Sequence, residues 1–126
     1  MKKAKALAGA AIAAGVMTLI PASADAAQTK VAATCYVTQG DWGMWCENIA
    51  NIPAYSRATF DSQIVGRVTS SFSFFNCWSD GAYNGRNNIW YWAQTDDTGA
   101  YGWVSSVYVR TPVDPMRDSV YQMRHC

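Results

Sequence analysis

Asn88 to Val109 reads Asn-Ile-Trp-Tyr-Trp-Ala-Gln-Thr-Asp-Asp-Thr-Gly-Ala-Tyr-Gly-Trp-Val-Ser-Ser-Val-Tyr-Val. Aromatic and β-branched residues crowd both sides of Asp96-Asp97-Thr98-Gly99, a run that favours a tight turn, so the stretch predicts a hairpin feeding a final strand. Period-two alternation sends Ile89, Tyr91 and Ala93 to one face and Trp90 and Trp92 to the other. Trp103 and Val104 also point oppositely, so a buried Val104 leaves Trp103 outside the core.

The pattern extends in both directions. No heptad and no sustained 3.6-residue apolar stripe follows residue 26, while short apolar segments alternate with Ile52-Pro53, Asp61-Ser62, Asp80-Gly81 and Asn84-Gly85. This spacing predicts an all-β sandwich or small barrel. Ile64, Val65, Val68, Ile89, Val104 and Val107 are the core candidates. Upstream, residues 27–34 read as a loose segment, Thr34 to Thr38 as a strand, and Gly40 to Gly43 as a turn into Trp45 and Cys46. Downstream, the tail from Thr111, with Pro112 and Pro115, lacks strand character.

Lys2, Lys3 and Lys5 precede an apolar run from Ala6 to Ile20, followed by Pro21 and the small-residue stretch Ala22-Ser23-Ala24-Asp25-Ala26. The order is that of a secretory signal peptide, and the apolar run is too short for an ordinary membrane span. Cleavage is expected after Ala26, with Ala24 as the alternative. Either leaves about 100 residues, one small secreted domain. Removing residues 1–26 leaves seven basic against eight acidic side chains. So balanced a surface disfavours nucleic-acid binding and steering to anionic membranes.

Four cysteines, Cys35, Cys46, Cys77 and Cys126, remain after processing. An even count in a small exported domain implies two disulfides, with three possible connectivities. Cys35 with Cys46 and Cys77 with Cys126 is the favoured pairing: the first closes a short loop around Gly40-Asp41-Trp42-Gly43, and the second tethers the tail. Each contributes about 3 to 4 kcal/mol in the loop-entropy account. Metal ligation is disfavoured, because the cysteine gaps are wide and His125 is the sole histidine. No cofactor is implied.

The chain carries 6 Trp, 7 Tyr and 4 Phe, more than a core of this size needs. Tyr55, Trp78, Trp90, Trp92, Tyr101 and Trp103 are candidates to line a groove that stacks on sugar rings or packs against peptide side chains. The competing reading makes them structural filler and edge cover. Trp42 and Trp45 are expected to pack over the first disulfide. Asp96-Asp97 reads as turn chemistry before it reads as a calcium site or acid pair. Arg57 and Arg67 read as surface cations, and Arg86 lies in the irregular loop before Asn88. Catalysis is not expected: disulfide pairing consumes every thiol, His125 sits at the extreme terminus, and no nucleophile-elbow pattern occurs.

Ile52-Pro53-Ala54-Tyr55-Ser56-Arg57-Ala58 through Asp61-Ser62-Gln63-Ile64-Val65-Gly66-Arg67-Val68 resembles the opening of a bacterial SH3-like (SH3b) domain. Asn88-Ile89-Trp90-Tyr91 is similar to its strand with a central Trp, and Tyr101-Gly102-Trp103-Val104 through Tyr108-Val109 to its terminal signature. Tyr55 stands where the family pattern has an arginine, and Ser79 to Asn87 forms a long segment between central strands. With the leader and paired cysteines, the chain resembles the small secreted SH3-like proteins of actinobacteria. The resemblance divides it into a signal peptide at 1–26, an N-terminal extension with a disulfide loop at 27–48, an SH3-like barrel at 49–110 and a disulfide-tethered tail at 111–126. It implies a non-catalytic, monomeric, secreted or wall-associated module that recognises a peptidoglycan peptide or glycan. A secreted protein partner, as for an inhibitor of an extracellular enzyme, is the alternative.

Overall fold

The computed structural model describes residues 34–126. The expected signal peptide lies outside the described residues. The elements are β1 (Cys35–Val37), β2 (Met44–Glu47), β3 (Ile52–Tyr55), β4 (Ile64–Val68), β5 (Phe72–Phe75), β6 (Cys77–Asp80), β7 (Ile89–Gln94) and β8 (Tyr101–Ser105), followed by a 3-10 turn at Ser106–Tyr108. Every ladder between them is antiparallel. The all-β class predicted from the alternating pattern is the class observed.

Two sheets share these strands. One has the order β1-β2-β5 and the other β4-β3-β8-β7-β6. β5 and β6 are separated by Asn76 alone, whose N–H donates to the Trp92 carbonyl at 2.7 Å, so one length of chain serves both sheets. A bridge between Asn48 and Val109 joins them again beyond the 3-10 turn. The predicted β7–β8 hairpin is present, with Trp92 opposite Trp103 and Gln94 opposite Tyr101. Gly99 adopts φ 81° in its turn, a left-handed conformation that glycine takes at no steric cost.

The Asp96-Asp97 pair performs turn and edge chemistry. Asp97 Oδ1 accepts the backbone N–H groups of Arg67 at 2.7 Å and Thr98 at 2.8 Å, and Asp96 Oδ2 accepts that of Thr69 at 2.7 Å. The bonds to Arg67 and Thr69 satisfy donors along and just beyond the outer edge of β4, where no further strand pairs among the described residues.

The core draws on both sheets and the tail. Val37, Met44, Cys46, Ile52, Ala54, Val68, Phe75, Ile89, Tyr91, Val104, Val109, Met116 and Met123 form one buried cluster. Val68, Ile89 and Val104 are therefore core residues as expected. Ile64 is not: it begins edge strand β4 and is 44% exposed. Val65 packs against the cluster from a half-buried position, and Val107, in the 3-10 turn, is also half-buried. The error lies in carrying strand alternation to an edge and past a strand end.

Both disulfides have the favoured pairing, Cys35–Cys46 and Cys77–Cys126. Cys35 and Cys46 are direct cross-strand partners. Alternation places buried Met44 and Cys46 on the inner face of β2 and exposed Trp45 on the outer. Trp45 therefore does not cover the disulfide; it stacks on Phe72 at 5.5 Å between ring centroids. Trp42 packs edge-on against Tyr121 of the tail at 5.0 Å.

The tail is irregular but firmly seated. Met116 and Met123 are 1% and 2% exposed, and their backbones are joined by a 3.0 Å hydrogen bond from the Met123 N–H to the Met116 carbonyl. Burying each methionine is worth about 1.5 to 3 kcal/mol. Asp114 anchors the segment from within. It accepts from the Tyr91 hydroxyl at 2.6 Å, from Thr111 Oγ1 and from Asn87 Nδ2 at 3.1 Å, and pairs with Arg86 Nε at 3.4 Å. Arg86 also donates to the carbonyls of Ser106 and Thr111, so its charge braces the tail.

Candidate binding face

The outer face of the β7–β8 hairpin carries three aromatic side chains at the surface. Trp92 and Trp103 are direct cross-strand partners, and Tyr101 lies diagonally from Trp92, so pleat geometry brings all three to one side. Trp92 and Tyr101 stack with ring centroids 5.9 Å apart and planes 20° from parallel. Trp92 and Trp103 meet at 4.8 Å with a 56° tilt. Trp92 and Trp103 are half-buried and Tyr101 is 46% exposed. These offset contacts hold each ring by its neighbour and leave ring surface open to solvent.

The other three candidates lie elsewhere. Trp90 shares the outward direction of Trp92, but the β3–β4 loop folds Phe60 onto it at 5.0 Å and Tyr55 meets it edge-on at 6.1 Å. Its indole N–H donates to the Ala82 carbonyl at 2.8 Å, and it is 0% exposed, so it offers no ring surface to a ligand. Tyr55, 8% exposed, belongs to the same cluster, which Phe60 covers from the solvent side. Trp78 pairs across the ladder with inward-facing Tyr91, which puts it on the opposite side of the sheet from Trp92. There its N–H donates to the Met123 carbonyl at 3.2 Å and its ring meets His125 edge-on at 4.3 Å. Alternation gave the direction of Trp90 correctly; the covering loop was not legible in the local pattern.

A cleft of about 470 Å³ adjoins the hairpin face. Trp45, Phe72 and Phe74 form one wall, Gln94, Asp96 and Tyr101 another, and Ser70, Ser73, Asn76 and Val68 complete the lining. Trp45 bridges the two phenylalanines, stacked on Phe72 and tilted against Phe74 at 5.4 Å. Tyr101 belongs to both the cleft and the hairpin cluster. Trp45, Phe72 and Phe74 were absent from the expected groove because they come from the strands before and after the β3–β4 hairpin. The register of Trp45 against Phe74 is what assembles them. The inward direction of Cys46 would have signalled that its neighbour Trp45 faces outward.

All four sulfurs are held in disulfides, so none is a free thiol. Asp41, Asp97 and Asp118 titrate below the ordinary carboxyl value: Asp41 chiefly through Thr38, Asp97 through the Arg67 N–H and Asp118 through that of Tyr121. Each such bond favours the charged form and marks a loop-fastening carboxylate. No protein-family model, curated protein or solved structure matches the chain.

Proposed function

We propose that the protein is a secreted, non-catalytic recognition module of the SH3b type that binds a cell-wall component, a peptidoglycan peptide or glycan, through its outer aromatic face. The observation that carries this reading is the Trp92–Tyr101–Trp103 cluster: Trp92 packed against both other rings, with open surface on a disulfide-fastened β scaffold. Rings fixed by their neighbours lose little conformational freedom on binding, which favours recognition by a small surface. The two disulfides agree with an oxidising, extracellular setting.

Co-sedimentation of the oxidised protein with protein-free actinobacterial sacculi tests the proposal. Saturable retention, lost in a folded Trp103→Ala variant, is expected. Failure of the unaltered protein to sediment would overturn wall recognition and move the assignment to a secreted protein partner.

A further inference from the structure

The cleft beside the aromatic hairpin has a chemistry of its own. At about 470 Å³ it falls within the roughly 300 to 1,000 Å³ typical of small-molecule sites. Exposed rings stand on its two sides, Trp45 at 37% and Tyr101 at 46% exposure. Between them lie the amides of Asn76 and Gln94, the carboxylate of Asp96, and Ser70 and Ser73, whose hydroxyls bond each other at 3.0 Å. Among the described residues, its lining contains no Lys, Arg or His.

This composition discriminates among ligands. A phosphate, a sulfate or a peptide carboxylate would enter a site holding a carboxylate and no cation, with repulsion and no charge-assisted bond to offset desolvation. A purely apolar ligand would strip water from the amides and the carboxylate without replacing their hydrogen bonds. A neutral pyranose matches both features. Its axial C–H face stacks on an aromatic ring, and its hydroxyls both donate and accept. Asn76 carries an amide donor and acceptor, Gln94 gives one Nε2 proton to the Gly99 carbonyl at 3.1 Å and keeps its second proton and its Oε1, and Asp96 uses Oδ2 for Thr69 while retaining further acceptor capacity.

We infer that the cleft between Trp45 on β2 and Tyr101 on β8 is a binding site for a neutral glycan. It refines the proposed wall recognition, on which it rests for its biological setting, by assigning glycan and not stem peptide to this cleft. The hairpin upstream of the SH3-like segment thereby supplies Trp45 to a wall completed by Phe72 and Phe74.

The test is titration, followed by amide- and indole-resolved NMR, with chitotetraose, cellotetraose and mannotetraose. A free stem tetrapeptide and a polygalacturonate oligomer serve as anionic controls. Saturable shifts at the Trp45 indole and the Asn76 and Gln94 amides with at least one neutral glycan are expected, with none from the controls. Trp45→Ala and, independently, Tyr101→Ala should each weaken that binding about ten-fold while preserving the dispersed amide spectrum. Absence of shifts with every neutral glycan, or shifts confined to Trp92 and Trp103, would overturn the inference. Retention on sacculi without glycan shifts in the cleft would remove this site and leave wall recognition standing; cleft binding without retention would do the reverse.

Discussion

The Tyr91 hydroxyl donates to Asp114 Oδ1 at 2.6 Å, joining the middle of β7 to the tail across 23 residues of sequence. Tyr91 is 0% exposed and the Asp114 side chain 2% exposed, so this bond lies inside the protein. Tyr91→Phe should lower stability by about 1 to 3 kcal/mol, the cost of withdrawing a donor from a buried acceptor. Asp114→Ala should cost more, because it also orphans Thr111, Asn87 and Arg86. Urea unfolding measures both; equal stability of Tyr91→Phe and the parent would remove the bond from the account.

Stability should fall at both pH extremes. Asp41, Asp97 and Asp118 have folded pKa values below the ordinary 3.8, so below that value the unfolded chain takes up protons first. Their contribution is present above pH 3.8 and is lost as pH falls through the lower folded values. Tyr91 is displaced the other way, first by burial and then by the Asp114 charge. Its contribution is complete below pH 10 and declines above it, as the unfolded tyrosine ionises while the folded one does not. Urea midpoints across pH check both limbs, and Tyr91→Phe should flatten the alkaline one.

The two disulfides should differ in weight. Cys35–Cys46 spans 11 residues and Cys77–Cys126 spans 49. In the loop-entropy account the longer closure is worth about 1 kcal/mol more. Replacing both cysteines of the longer loop by serine should also release Met116 and Met123 and open the tail to thermolysin. Replacing those of the shorter loop should leave the tail protected. Cleavage of the tail in the short-loop variant alone would contradict this ordering.

Trp90 and Trp103 separate structure from surface. Trp90→Ala empties the buried position beneath Phe60 and beside Tyr55 and should cost about 3 to 5 kcal/mol. Trp103→Ala removes a half-buried outer ring and should cost about 1 kcal/mol. Thermal unfolding of the pair distinguishes the roles; similar losses would mean that Trp103 is part of the core.

The β7–β8 hairpin, its turn and the two disulfide pairings were legible because each rests on local signals: alternation, Asp/Gly turn residues and cysteine spacing. Trp90, Tyr55 and Trp78 show where local signals stop. Each is covered by chain distant in sequence or on the far side of the sheet, Phe60 over Trp90 and the tail against Trp78. Trp45 shows the converse. Its outward direction follows from the pleat of β2, but its place beside Phe72 and Phe74 follows from pairing with β5, which skips the intervening hairpin.

In β2, Met44 and Cys46 face inward while Trp45 faces the cleft. Mutational drift at adjacent positions is therefore subject to separate demands. Changes at 44 and 46 are judged by whether the protein folds, and changes at 45 by what the cleft admits. The wall of the cleft can therefore be altered at an outward position while the core packing of its neighbours stays untouched.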